Sequence, residues 1–221
     1  LRRRQRQMCI RDRKVNDLSI NVAIFYENSK ELSILHTFWF KVIVMLDVKA
    51  DLHIHTKYSD GRNSAVDIIR SADANDLEVI AITDHLFKHQ KPVWVSELRS
   101  LISNFDHKVK VLVGVEAHAD FNGSLPLDTT QAQEFDVIIG EAYIPQDEST
   151  SFNDFLENVR ISIENLTKNE LVDIIAHPLN LGRTKFVKCF TQLPRPFLEE
   201  VAEIFAKSDL VVEVMSQMYW W

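Results

Sequence analysis

The sequence predicts an α/β barrel of parallel strands with about six βα units. Three observations carry that prediction. From residue 49 onward, short apolar runs alternate with helix-period patterns, the mark of βα units. The second run, residues 78–83, is near-continuously apolar, in the way of a strand covered on both faces. Residues of metal-binding type recur where the runs end, and in parallel barrels those ends meet at one mouth.

Residues 50–55 make the first strand. A helix follows, with Ala65, Ile68, Ile69 and Ala72 at i, i+3, i+4, i+7 spacing, opened by the capping-box variant Ser64-x-x-Asp67. After the second strand, Trp94, Leu98, Leu101, Ile102 and Phe105 mark the next helix. Residues 110–116 are the third strand and 136–142 the fourth. Between them, Asn122-Gly123 signals a turn within residues 121–127. Ser151 opens a helix with its apolar face at Phe152, Phe155, Leu156, Val159 and Ile163. Residues 171–176 are the fifth strand. A helix over residues 196–207 begins with Pro196, whose missing N–H costs little in a first turn. Residues 210–214 are the sixth strand, and the chain stops seven residues later, so the barrel is expected to lack its end.

Hydrophobic residues make up 46% of the chain, enough for a substantial single core. The net charge of −7 hides an asymmetry. Residues 1–14 hold six Arg and one Lys against Asp12, a balance of +6, which leaves 18 basic and 31 acidic side chains, or −13, on the rest. A body so acidic is a poor general binder of nucleic acid. It suits cation capture, although such a surface is also ordinary for a soluble protein. Cys9 and Cys189 make neither a disulfide framework nor a CxxC pair, which fits a reducing, cytoplasmic setting. Residues 32–48 are broken by His36, Lys41 and Asp47, so they do not supply the ~20 apolar residues of a membrane span. Residues 1–44 are expected to be a leader of doubtful origin, with the domain running over residues 45–221.

His53 and His55 end the first strand, Asp84 and His85 the second, and Glu116 the third; Tyr143 follows the fourth and His177 the fifth. A His-x-His pair on a strand puts both imidazoles on one face, as chelation requires. Taken singly, such a pair is more often a satisfied or exposed one, and Thr-Asp-His or His-Pro alone is weak. Their conjunction in this order points to metal. His89, on the loop after the second strand, is a candidate for touching substrate. Arg183, with its planar fork, is a candidate for gripping phosphate, against the ordinary reading as a surface ion pair. No Gly-rich phosphate loop, GxSxG elbow or dinucleotide fingerprint is present, so NTPase, serine hydrolase and dehydrogenase readings lack a footing.

Asp51-Leu-His53-Ile-His55-Thr-Lys-Tyr-Ser-Asp60-Gly61, Ile82-Thr-Asp84-His85, Gly114-Val-Glu116 and Ala176-His177-Pro178 together resemble the motifs of the PHP (polymerase and histidinol phosphatase) superfamily. The resemblance runs from about Asp51 to Met215 in the family's order. It implies a distorted seven-stranded TIM-like (β/α) barrel holding up to three ions of zinc, manganese or iron. It places His53, His55 and Glu116 on a first metal, and has Glu116 bridge to a second that His177 also binds. It puts Asp60 and His85 on a third. Glu116 and Asp84 are then the acids of the catalytic centre, with Asp84 orienting a neighbouring ligand. Two departures stand out. Tyr143 falls where the family commonly has a histidine. His118, two residues after Glu116, is either its replacement or a plain hydrogen-bonding histidine. The family's last motif, an Asp-x-His after strand seven, does not occur.

The implied activity is hydrolysis of phosphoesters by a metal-activated hydroxide. Only 31 positions separate His85 from Glu116, which leaves no large insertion there and favours small phosphomonoesters or nucleotides. Two alternatives stand beside it. One is a non-catalytic or proofreading PHP module of a DNA polymerase. The other is a metal-dependent amidohydrolase, for which the sequence has no strand-embedded lysine. Nothing in the sequence fixes the oligomeric state.

Overall fold

Ser64 starts the first helix as its spacing demands. Its hydroxyl accepts from the Asp67 amide, and the Asp67 carboxylate accepts in return from the Ser64 amide. The helix, α1 (Ala65–Ala74), buries Ala65, Ile68, Ile69 and Ala72, the four positions of the apolar stripe. The computed structural model describes residues 22–24, 49–145, 147–181 and 184–214.

The strands are β1 (Val22–Ile24), β2 (Ala50–Ile54), β3 (Val79–Ile82), β4 (His85–Leu86), β5 (Lys110–His118), β6 (Val137–Glu141), β7 (Ile174–Ile175) and β8 (Val211–Val214). Among the described residues they form one sheet in the order β1-β8-β7-β6-β5-β3-β2, with β4 also paired to β5. Every ladder is parallel except that between β1 and β8. The helices α2 (Val95–Asn104), α4 (Phe152–Leu166) and α5 (Arg195–Ala206), with the four-residue α3 (Thr129–Ala132), fill the crossovers. The fold is therefore an α/β incomplete barrel of parallel strands.

Two sets of apolar residues show how the sheet curls. Ile54, Ile80 and Ile82 face the helices, with Ile68, Ile69 and Ala72 of α1 packed on Ile54 and Ile80. On the other face Ala81, Val137, Ile139, Ile174 and Ala176 gather with Leu52, Leu112 and Val211. Strands that are not neighbours meet there, so this cluster is the inner floor of the curl. Ile80, Ala81 and Ile82 are wholly buried, as expected of a strand covered on both sides.

Some boundaries differ from the sequence reading. The second run stops at Ile82, and a separate two-residue strand, β4, resumes at His85. The third strand continues two residues further, to His118. The fifth is only Ile174–Ile175, because Asn169 draws the preceding residues into a turn: its side chain accepts from the Leu171 amide and its carbonyl from that of Val172. Val172 is apolar because it packs beside Gly140. In the expected turn, Asp120 accepts from the amides of Asn122 and Ser124, and Gly123 takes φ +78°. No helix among the described residues is long and apolar enough to cross a membrane.

Candidate metal centre

The pleat that builds the inner floor also builds the site. On β5, Leu112 faces the floor, and residues at even spacing beyond it bring Glu116 and His118 to the same side. On β6 the same parity carries Ile139 to Glu141, and on β8 it carries Val211 to Glu213. Apolar residues thus lie below, and ionisable ones above, at the C-terminal ends of the strands.

Glu116 is the hub. It is wholly buried, yet its carboxylate meets four imidazoles. His53 Nε2, His55 Nε2 and His85 Nδ1 lie 3.3, 3.0 and 2.7 Å from Oε2, and His177 Nε2 lies 3.1 Å from Oε1. His53 and His55 bring their Nε2 atoms within 3.0 Å of each other, although β2 has a register irregularity between Asp51 and Ile54. The His53 and His177 rings stack 5.4 Å apart. Asp60 Oδ1 sits 2.8 Å from His55 Nδ1 and 3.4 Å from His85 Nε2.

Other residues hold these donors in place. The wholly buried Asp84 carboxylate accepts from the Thr56 amide and hydroxyl, each at 2.8 Å, and from the Ser59 hydroxyl at 2.5 Å. It therefore shapes the loop between His55 and Asp60. Gly61 closes that loop: a Cβ there would lie 2.2 Å from the His55 carbonyl oxygen, so only glycine fits. Glu213 Oε2 lies 2.9 Å from His53 Nδ1 and accepts the His177 amide at 3.2 Å.

The electrostatics are those of a tightly charged cluster. Burial pulls His53 down, but Glu213 and Glu116 outweigh it and hold the ring well above its usual pKa. Burial likewise lowers His85, while Asp60 and Glu116 raise it to about 9. His177 is raised by Glu116 against its own burial. Burial pushes Glu116 up, yet His53, His177 and His55 bring it well below the usual carboxylate range. Glu213 and Asp60 are lowered in the same way by their histidine neighbours.

The donor set fits divalent cations. Both Glu116 oxygens and His85 Nε2 are buried and receive no bond of proper hydrogen-bond direction, despite the short distances. Buried polar atoms are normally satisfied, and a cation satisfies a carboxylate and several imidazoles together. Three groups have donor atoms within 4.8 Å of one another: His53, Glu116 and His177; His55, Asp60 and His85; and His85, Glu116, His118 and Glu141.

The structure thus brings together His53, His55, Asp60, His85, Glu116 and His177, and adds His118. Glu141 and Glu213 join them. Glu141 carried a signal in the sequence, since it ends an apolar run as Glu116 does. Tyr143 stands apart from the three groups: its hydroxyl donates to Glu148, which raises its pKa to about 12. His89 is exposed on the loop after β4, in left-handed backbone at φ 69°, outside those groups. Arg183 lies outside the described residues.

Three proteins share sequence with this chain. It is 28% identical over 147 residues to the DNA polymerase/3'-5' exonuclease PolX of Bacillus subtilis, covering 62% of this chain and 25% of that protein. It is 31% identical over 140 residues to a protein named probable phosphatase from Acetivibrio thermocellus, covering 59% and 54%. An uncharacterised protein of Methanocaldococcus jannaschii is 28% identical over 178 residues, covering 77% and 69%. The match thus spans about a quarter of the first relative's length and about half of the second's. The sequence matches the PHP domain over residues 51–217. With its histidines and carboxylates gathered at the strand ends of a parallel half-barrel, the chain belongs to the PHP domain family.

Proposed function

We propose that this chain is a metal-dependent phosphoesterase acting on small phosphomonoesters or nucleotides. One observation carries the reading: four imidazoles converge on one buried carboxylate that lacks a properly directed donor, at the mouth of a parallel barrel. The likeness to a protein named probable phosphatase supports the reaction class.

His53, Glu116 and His177 would hold one cation, and His55, Asp60 and His85 another. Zinc, manganese and iron all suit a donor set of imidazole and carboxylate. Bound there, such ions supply Lewis acidity, acidifying water and neutralising charge on phosphoryl oxygens. Glu116 places one carboxylate among all these donors, so neighbouring cations would share its charge. Glu213 keeps the His53 proton on Nδ1 and turns Nε2 toward Glu116. Asp84 fixes the loop that carries Asp60. His89 and Arg183 remain the candidates for contacting the substrate beyond the cations. A cytoplasmic setting goes with this reading.

A second reading has its own observation, the match to PolX. In it the chain is a phosphodiester-cleaving module of a polymerase. The test is to load the chain with Mn or Zn and assay p-nitrophenyl phosphate, bis-p-nitrophenyl phosphate and a 3'-labelled oligonucleotide. Chelator-sensitive turnover of the monoester is expected. Preferential trimming of the oligonucleotide favours the polymerase module, and no cleavage of any of the three by a metal-loaded chain refutes both.

A further inference from the structure

Two cross-strand pairs stand side by side on the inner face. His85 of β4 lies opposite Glu116 of β5, and His118 of β5 lies opposite Glu141 of β6. Glu116 and His118 are two residues apart on one strand and so share a face. The four side chains make a two-by-two array set by register and pleat, not by loops. His85 Nδ1 is 2.7 Å from Glu116 Oε2 and 2.8 Å from His118 Nε2, and His118 Nδ1 is 2.5 Å from Glu141 Oε2. Both Glu116 oxygens and Glu141 Oε2 are buried with no donor of proper direction. Leaving such an oxygen unsatisfied costs about 1–3 kcal/mol, more for a charged group. Two carboxylates held this near each other also repel, and a shared cation removes both penalties. Tyr143 does not compete for the place, since its hydroxyl is committed to Glu148.

We propose that His85, Glu116, His118 and Glu141 hold a divalent cation beside the one assigned to His53, Glu116 and His177, and compete with the group of His55 and Asp60 for the His85 ring. The proposal rests on the centre being a metal centre, and is independent of which bond that centre cleaves. His85 can serve it because its ring turns Nδ1 to this array while its proton stays on Nε2, toward Asp60. Phe87 stacks on His118 with ring centroids 4.0 Å apart, which fixes the imidazole plane on the side toward solvent. Mixed nitrogen and oxygen donors suit zinc, manganese or iron(II) better than calcium or magnesium.

Titration of the metal-free chain with Co(II), read as bound equivalents and visible absorption, tests the site. His118→Asn and Glu141→Gln should each lose one equivalent or weaken it at least tenfold, and Tyr143→Phe should keep all of them. Unchanged count and affinity in both variants overturns the proposal, as does a loss confined to Tyr143→Phe. The unaltered Co(II)-loaded chain gives a reading that needs no variant to fold. Its proton NMR spectrum should show a contact-shifted His118 ring, the signature of a direct ligand, and a His118 ring without one overturns the site. Neither readout involves phosphoester cleavage. A chain that binds Co(II) at the array yet cleaves no phosphoester keeps this site and loses the functional reading.

Discussion

Glu213 Oε2 lies 2.9 Å from His53 Nδ1, and so links the last parallel strand of the sheet to the first. An ionised carboxylate only accepts, so the proton of the neutral ring stays on Nδ1 and Nε2 faces Glu116. The same oxygen accepts the amide of His177. One acid therefore orients two histidines. Glu213→Gln should lower cation affinity about 10–100-fold, as loss of such an orienting partner does. Chelator competition measures it, with circular dichroism unchanged.

Glu116→Gln goes further. It keeps the size of the side chain but removes the charge at the centre of all four imidazoles. The variant should bind cations more weakly than Glu213→Gln, beyond about 100-fold, and should lose any phosphoesterase activity in parallel. Elemental analysis of the purified variant beside the unaltered chain checks the first half, and turnover at saturating Mn checks the second. Full cation content in the variant would refute its role as hub.

Asp84 is a test of structure without coordination. Its three accepted bonds all come from Thr56 and Ser59. Asp84→Ala strands buried donors, and should cost about 3 kcal/mol of stability or more. Asp84→Asn keeps the oxygen that serves Thr56 N and Ser59, and the Thr56 hydroxyl can rotate to accept from the new amide, so its loss should stay near 1 kcal/mol. Urea unfolding of the metal-free variants measures both.

The contrast between Asp84 and Glu141 shows what the sequence discloses. Motifs confined to one strand end are legible: His53 with His55, or Asp84 with His85, need only the knowledge that a strand ends there. Period two likewise puts Glu116 and His118 on one face. Glu141 ends an apolar run as Glu116 does, but its place opposite His118 needs the register of β6 against β5, a tertiary quantity that no local pattern encodes. Glu213 needs the curl that brings β8 to β2. The same limit shaped the fold reading. The apolar stripes of α1 and α4 were legible because they follow from period alone, whereas β4 is two residues long and exists only by pairing with β5. Leu171 and Val172 read as strand because they are apolar, but the turn built by Asn169 claims them.

The raised histidines set a pH dependence with a definite sign. His85 is lifted to about 9 in the folded protein, from an ordinary value near 6.5. In the metal-free chain its contribution to stability is fully present below about pH 6.5 and lost as pH rises through about 9. Melting temperature should fall across that window, by about 2–4 °C for each kcal/mol in a chain of this size. Cation affinity should move the opposite way, because a cation must displace the imidazole protons. Calorimetry in two buffers of different ionisation enthalpy should detect proton release on binding at pH 7.

Among the described residues, no backbone ladder joins β2 to β8, so the seam between them is bridged by side chains. His53 and Glu213 are 160 positions apart in sequence. An ion seated on His53, Glu116 and His177 would therefore act as a clasp between distant parts of the chain, doing for the seam what hydrogen bonds do elsewhere in the sheet. Loading would slow the opening of β2, which has a ladder only on its β3 side, more than that of β3 and β5, whose ladders are complete on both sides. Amide exchange should then separate β2, whose protection follows the ion, from a centre of the sheet whose protection does not.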